Sequence, residues 1–318
     1  MATVAVAVVS WNTREQLREC LDSLAIEHEG GRAEVWVVDN ASSDGSADLV
    51  RESYPWAELV AVDENLGFGA AVNLVSERTR SEWIAPANAD VRLEPGALER
   101  LLAAGRADPA AGIVAPRLVL PDGTVQHSIF SFPTVPFTIL HGLGAFRLSR
   151  RLRRRWPVPG GWDGARSGPV PWAVGAFLLV RRSAWDAIGG FDPSQWMFAE
   201  DLDLGWRARR GGWHTIYAAD AVFHHDESSA TTKLWEEGQR YDRWHRSTYA
   251  WMLRRRGLAI TRTVALINVI AYAVRAALLT PLALARGGRW RTARHAALGA
   301  VRAHCTGLAP RATLERHH

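Results

Sequence analysis

The sequence predicts an α/β fold: a mostly parallel sheet flanked by helices, followed by a helical extension at the C-terminal end. Three observations predict it. Short β-branched runs alternate with segments of helical periodicity through the first hundred residues, which is the pattern of βαβ units. Each run ends in a cluster of Asn, Asp, Ser or Gly. The charge also changes sign along the chain: residues 1–230 hold 22 basic and 29 acidic side chains, whereas residues 231–318 hold 16 basic and 4 acidic. The boundary between a first domain, 1–230, and a basic helical region, 231–318, is placed at that change.

The elements follow in order. The run from Val4 to Val9 predicts a buried strand, with Ser10-Trp11-Asn12 at its end. Apolar residues Leu17, Cys20, Leu21 and Leu24 then recur at helical spacing, and Thr13 with Gln16 gives a weak capping signature. Val35 to Val38 predicts a second strand, ending in Asp39-Asn40-Ala41-Ser42-Ser43-Asp44-Gly45-Ser46, with a helix from Ala47. Leu59 to Val62 predicts a third, followed by Asn65-Leu66-Gly67-Phe68-Gly69 and a helix running to about Thr79. Trp83 to Ala85 predicts a fourth, ending at Asn88-Ala89-Asp90, with a helix from Pro95 to Ala104. In parallel sheets ligands bind beyond the carboxyl ends of the strands. Four polar strand ends therefore point to one rim and to a nucleotide. Taken singly, each is also what a turn is made of.

Residues 141–171 read as a long irregular segment with arginines at 147, 150, 151, 153, 154 and 155. It is either a solvated loop or a flap over the site. Regular structure returns with a strand from Ala176 to Val180, a short helix from Ser183 to Ile188, and a helix that opens at Phe198 and runs to Arg210. Two short apolar stretches, Thr215 to Tyr217 and Ala221 to Phe223, precede His224-His225. Beyond Lys233 two charge-free runs, 263–274 and 276–285, are divided by Arg275. Each is shorter than the roughly 20 residues a spanning helix needs. An interfacial or re-entrant helix pair flanked by arginines is expected, with an anionic membrane as partner. The alternatives are a soluble helical subdomain or a homodimer interface.

Composition narrows the classes further. Two distant cysteines, Cys20 and Cys305, make neither a disulfide framework nor a CxxC metal site, and a reduced cytoplasmic setting is expected. The first apolar run lacks the basic leader and cleavage site of an export signal. Nucleic acid is not expected as a partner of the basic tail, because no binding motif is present and aromatic residues are not interleaved with the arginines.

Two groups of residues can carry chemistry. Asp90 at a strand end can hold a divalent cation against a diphosphate, since hard cations take carboxylate and phosphate oxygens. Glu200-Asp201-Leu202-Asp203 places three carboxylates in four residues. They repel one another, so either the helix dipole or a general base explains them. A neutral imidazole at His224 or His225 can complete a metal shell.

The ordered set VVSWN, VVDNASSDGS, NLGFGAAVN, NAD, VGAFLLVRR, GGFDPSQWMFAEDLDLGWR and VFHH resembles glycosyltransferase family 2, closest to its bacterial rhamnosyltransferase-like branch. The resemblance covers residues 3–229 and implies the Rossmann-like GT-A fold. It implies that Ser10, Trp11 and Asn12 line the nucleotide pocket, and that Asp39, beside Asn40 and Ser42, accepts a hydrogen bond from a pyrimidine base. Asn65, Gly67 and Asn73 would border the ribose and diphosphate, and Gly175 and Ala176 would approach the donor sugar. Asp90 matches the last aspartate of the family's DxD-type metal motif. Asn88 stands at the motif's first position, which puts a direct metal contact there in doubt, and Ala89 lies between them. Asp201 matches the catalytic base, supported by Glu200 and Asp203, and His224 matches the histidine of the metal shell, with His225 as the neighbouring register. The cation implied is Mg²⁺ or Mn²⁺.

The implied activity is an inverting transfer of a sugar, L-rhamnose from dTDP-rhamnose first among the candidates, onto a polyprenyl-diphosphate-linked sugar in surface-glycan synthesis. UDP-galactofuranose, UDP-glucose, UDP-N-acetylglucosamine and GDP-mannose are the alternative donors. Arg151 and Arg154 would meet the acceptor diphosphate. The enzyme would then act in the cytoplasm, peripheral to the inner face of the membrane. A non-catalytic nucleotide-sugar-binding protein is the rival from another class.

Overall fold

A computed structural model describes residues 2–148, 157, 162, 164–226 and 237–311. They fall into two compact units, one of residues 1–130 and 162–234, the other of 131–161 and 235–317. A boundary at residue 230 would leave 131–148 with the sheet, and it lies outside the described residues.

The sheet unit starts with β1 (Val4–Ser10), α1 (Arg14–Glu29), β2 (Ala33–Asp39), α2 (Ser46–Ser53), β3 (Glu58–Ala61), α3 (Phe68–Arg78) and β4 (Trp83–Asn88). Strand β1 is parallel to both β2 and β4, and β2 is parallel to β3. Alternation along the strands explains why helices cover both faces. Val4, Val6 and Val8 pack in one core with Leu17, Cys20, Leu21 and Leu24 of α1. Ala7 points the other way, into a second core with Ala71, Val72 and Val75 of α3. Burial on both faces is what favours a continuous β-branched run over an alternating one. Leu21 is fully buried, so truncation to alanine would cost about 2–5 kcal/mol.

The other half of the sheet is mixed. Its members are β5 (Val91–Leu93), β6 (Ala111–Val119), β8 (Gly168–Val170), β10 (Leu179–Arg181) and β11 (His214–His225). The strand order is β3-β2-β1-β4-β10-β6-β11-β5, with β8 also paired to β11. Strand β10 is antiparallel to both β4 and β6, and β6 is parallel to β11. Helices α4 (Ala97–Ala107), α7 (Arg182–Ile188) and α8 (Glu200–Arg210) cover this half. A short ribbon of β7 (Ile129–Phe130) and β9 (Trp172–Ala173) lies apart from the main sheet.

Several features differ from the sequence expectation or go beyond it. Strand β6 sits in the middle of the sheet although Pro116 lies within it. The register of its partner shifts between Ala218 and Val222, and this bulge also makes the two expected stretches 215–217 and 221–223 a single strand. Thr13 does not cap α1; its hydroxyl pairs with that of Ser10 at 3.1 Å.

A further difference is in the helical unit. It holds α5 (Val135–Gly142), α6 (Ala145–Leu148), α9 (Glu237–Arg256), α10 (Leu258–Arg286) and α11 (Gly288–Cys305), then a 3₁₀ turn at Thr306–Leu308. The two expected apolar runs form one helix, α10, of 29 residues that continues through Arg275 and Pro281. One long-stemmed arginine does not interrupt helical hydrogen bonding. By length and composition this helix is sufficient to cross a membrane. Inside the unit, Tyr249 Oη and His304 Nδ1 are 2.8 Å apart, and Tyr272 stacks on His304. Burial pushes His304 down to about 3 and also lowers His245, so both are neutral at pH 7.

Candidate functional site

The rim forms where the parallel strands end. Asp39, the last residue of β2, is buried; one carboxylate oxygen accepts from Ser42 N–H at 3.0 Å, and the other is buried without a hydrogen-bond partner. A buried carboxylate oxygen left without a donor is costly, and a ligand N–H would relieve it. Ser10 is buried at the end of β1, and Trp11 is half-buried beside it. Asn12 adopts a left-handed φ of 53°, and its N–H donates to Ser42 Oγ at 3.0 Å while its side-chain oxygen accepts from Ser43 N–H at 2.8 Å. These bonds tie the β1 end to the β2 end.

Asn40 ties the next loop. Its amide donates to Asn65 Oδ1 at 3.0 Å and its oxygen accepts from Leu66 N–H at 2.9 Å. Gly67 follows with φ 82°, and a Cβ there would sit 2.5 Å from the carbonyl oxygen of Trp196, so only glycine fits. Ser10, Asn12, Asp39, Asn40, Ser42, Asn65 and Gly67 thus form one connected rim. Asn73 stands apart from it. Its amide holds the backbone of Phe191, donating to the carbonyl at 2.9 Å and accepting from the N–H at 3.0 Å. It is a strut between α3 and the Gly190-Phe191 turn, and that accounts for it without a ligand.

A second group lies at the end of β4. Asn88 N–H donates to Ala176 C=O at 2.8 Å, which brings the Asn88-Ala89-Asp90 triplet beside Gly175-Ala176. Ala89 and Ala176 are both buried in the core. Asp90 is buried, and its carboxylate faces the Nε2 of His225 at 3.3 Å. The other ring nitrogen of His225 lies 2.8 Å from Gln126 Oε1. An amide oxygen only accepts, so Nδ1 carries the proton there and Nε2 is turned toward Asp90. His224 projects to the opposite side of β11, as strand alternation requires, and its Nε2 lies 3.2 Å from Glu94 Oε1 at an exposed position. The structure therefore brings His225, not His224, to Asp90. Gln126 carried no signal in the sequence, because it lies in a loop without periodicity or motif.

The third group is the acidic motif. Phe198 and Ala199 take left-handed φ values of 58° and 104° just before α8. Two such non-glycine residues in succession are strained, and strain of this kind collects at functional sites. They set Glu200 and Asp201 in the first turn. Gly175 N–H donates to Asp201 Oδ2 at 3.1 Å and Leu202 N–H to Oδ1 at 2.7 Å. A Cβ at Gly175 would sit 3.4 Å from the Asp201 Cβ. Burial raises the Asp201 carboxyl, while the Leu202 and Gly175 hydrogen bonds lower it; the balance leaves it near 6. Burial and the neighbouring Asp201 charge raise Glu200 further, to about 8. Both carboxyls are therefore raised above the ordinary carboxylate range, which suits the pair to taking up a proton near neutral pH. Asp203 does neither. It is fully buried and receives Arg207 Nε at 2.6 Å, while that arginine also caps the carbonyl of Ile188. Its role is to dock α8 on α7.

A divalent cation fits the donor set only as a partner of substrate oxygens. Among the described residues no cluster of three His, Cys, Asp or Glu side chains could hold a metal alone. Asp90 and His225 supply two facing ligands, and Mg²⁺ sites that also hold a diphosphate need no more than one or two protein groups. Arg151 and Arg154 lie outside the described residues.

The family model described as glycosyltransferase-like family 2 matches residues 2–247. The N-acetylglucosaminyl-diphospho-decaprenol L-rhamnosyltransferase of Mycobacterium tuberculosis is 32% identical over 270 residues, which cover 79% of this chain and 84% of that one. The rhamnosyltransferase WbbL of Escherichia coli is 36% identical over 95 residues, 28% of this chain and 33% of that one. Among solved structures, the mannosyltransferase PcManGT of Pyrobaculum calidifontis, in complex with GDP-Man and Mn²⁺, superposes with a TM-score of 0.60 at 20% identity, covering 96% of this chain and 87% of that one. That likeness carries the fold, which is GT-A.

Proposed function

This chain belongs to glycosyltransferase-like family 2, and from that premise we propose that it moves L-rhamnose from dTDP-rhamnose onto a polyprenyl-diphosphate-linked N-acetylglucosamine at a membrane surface. The acceptor and the sugar rest on one observation, the mycobacterial rhamnosyltransferase that is 32% identical across most of both chains. The chemistry rests on this chain's own residues.

In this reading Asp39 accepts the imide N–H of the thymine ring at its unpartnered oxygen, and the Asn40–Gly67 loop and Asn12 border the nucleoside. Asp90 and His225 would hold a divalent cation, Mg²⁺ or Mn²⁺, which would supply positive charge against the diphosphate. Asp201 is the base. It removes the proton from the acceptor hydroxyl as that oxygen attacks the anomeric carbon. The acceptor C–O bond forms while the bond to the diphosphate breaks on the opposite face, so the carbon inverts. Gly175 N–H and Leu202 N–H keep the Asp201 carboxylate aimed, and they also keep its affinity for protons from rising further. Burial and the Asp201 charge raise Glu200 as well, which disfavours a second negative charge beside the base.

The test is a donor panel with labelled nucleotide sugars and a lipid-linked N-acetylglucosamine acceptor. Label passing from dTDP-rhamnose to lipid, and stopping with a chelator, is the expected result. Transfer from UDP-galactofuranose, UDP-glucose, UDP-N-acetylglucosamine or GDP-mannose instead would overturn the donor and leave the base and metal in place. No transfer from any donor would overturn the reaction.

A further inference from the structure

The helical unit turns apolar side chains outward. Between residues 266 and 285, the exposed positions of α10 are Leu266, Ile270, Ala273, Val274, Arg275, Ala277, Leu278, Pro281, Leu284 and Ala285, of which Arg275 alone is charged. Leu266, Ile270, Val274 and Leu278 recur every fourth residue and line one stripe. Leu278 is 71% exposed and Leu284 81%, where a large apolar side chain in contact only with water is unfavourable relative to a buried one. A second helix extends the stripe. Gly142 of α5 comes so close to α10 that a Cβ there would lie 2.9 Å from the Cβ of Ala271. Ile139 and Leu143 beside it are exposed as well.

The charge around this face has one sign. From Gly257 to Leu308 there is no acidic residue. Arg262 stands near the start of α10, and Arg286, Arg289 and Arg291 are exposed where it passes into α11. A long apolar face framed by arginines and free of carboxylates is complementary to an anionic bilayer.

Length alone would let α10 cross a bilayer, and its packing opposes that. Helix α11 runs beside it, carries Arg289, Arg291, Arg294, His295 and Arg302, and donates from Arg294 Nε to Thr280 Oγ1 at 3.0 Å. Ala276 and Ala283 of α10 and Ala297 and Ala300 of α11 are buried. A spanning α10 would drag these charges into hydrocarbon, where a charged side chain is strongly unfavourable. With the helix in the interface plane, the stripe meets acyl chains, Arg275 reaches a headgroup along its apolar stem, and α11 stays in water.

The geometry points to an in-plane docking face for anionic phospholipid, made by the Leu266-Ile270-Val274-Leu278 stripe and Leu284 of α10 together with Ile139 and Leu143 of α5. It deepens the reading that the enzyme works at a membrane surface, and it can be tested apart from the reaction. Full-length chain is sedimented with vesicles free of polyprenol lipid, of phosphatidylcholine alone or mixed with phosphatidylglycerol. Binding to the anionic vesicles is expected, weaker by about tenfold for the double substitution Ile270→Glu with Leu278→Glu. Both positions are exposed, and unchanged circular dichroism checks the fold. Arg289→Gln with Arg291→Gln leaves the stripe intact and should remove only the preference for anionic lipid. Alkaline carbonate should release the protein from native membranes. Retention after carbonate, equal binding by the Glu variant, or a dimer in sedimentation velocity that the Glu variant dissociates without any vesicle binding would each overturn the docking face. Transfer to a water-soluble acceptor analogue separates the two readings. Vesicle binding without transfer removes the reaction and keeps the face; transfer without vesicle binding does the reverse.

Discussion

In the sheet unit the residues that break ordinary burial rules are carboxylates withdrawn from solvent: Asp39 with an unpartnered oxygen, Asp90 against His225, and the half-buried Asp201 beside Glu200 at the start of α8. In the helical unit the exceptions are apolar side chains left outside, Leu284, Leu143 and Leu278 foremost. The two departures have different causes. A buried charge needs a partner small enough to enter, such as a cation, a base edge or a hydroxyl proton. An exposed apolar stripe needs a partner large enough to cover it. On the proposed reading one unit serves a molecule and the other a surface, and substitutions should separate cleanly along that line.

The largest effect belongs to the base. Asp201→Asn should lower the turnover rate by about 10²–10⁴ while donor binding, followed by thermal shift with dTDP, stays near wild type. If the variant kept its rate, the acidic motif would be a helix cap and nothing more. The next effect decides between adjacent histidines. His225→Ala should raise the metal concentration needed for half-maximal rate by about tenfold or more. His224→Ala should leave it nearly unchanged, because that ring faces Glu94 at the surface. The reverse result, read from metal titrations of both variants, would relocate the site to the other face of β11.

The two units also differ in how much of them could be read from sequence. The parallel half was legible because its central strand β1 is buried on both faces, so its apolar run is continuous and its polar end abrupt, and β2 and β4 beside it end in polar residues too. The choice between His224 and His225 was not, because it depends on which side of β11 faces Asp90, and that phase is set by the register shift between Ala218 and Val222. Asn73 matched a motif position, yet its amide is occupied by Phe191 118 residues away. Strand β6 was hidden by Pro116, which local rules place at edges. In the helical unit Arg275 split one helix into two apparent runs, since a window that stops at each charge cannot see that the exposed face continues past it.

A pH series sharpens the contrast inside the sheet unit. Asp201 must be ionised to act, and its carboxyl sits near 6, so the rate should rise with pH through that value. Glu200 bears on stability instead. Its proton is held up to about 8 in the folded chain and released near 4.5 in the unfolded one. The folded state therefore binds more protons in between, and stability falls as pH rises through that window. Glu200→Gln removes this loss. Melting temperatures at pH 5 and pH 8 should differ less in the variant than in the wild type; equal differences would mean that Glu200 is already ionised.

The helical unit should respond to pH with the opposite sign. His304 is held near 3 by burial, against about 6.5 unfolded, and His245 is lowered too. Here the unfolded state binds the extra proton, so stability falls as pH drops below 6.5, by about 1.4 kcal/mol per pH unit for each proton of difference. His304→Phe keeps a flat ring against Tyr272 and removes one of those protons. Tyr249, which loses the His304 partner, still has Asn268. The variant should therefore be less stable than wild type at pH 7.5 but should lose less helical signal on acidification to pH 5. Acid sensitivity that is identical in the two proteins would place the titrating group outside the Tyr249-Tyr272-His304 cluster. The buried His245, which is lowered as well, would then be the group through which the unit answers to pH.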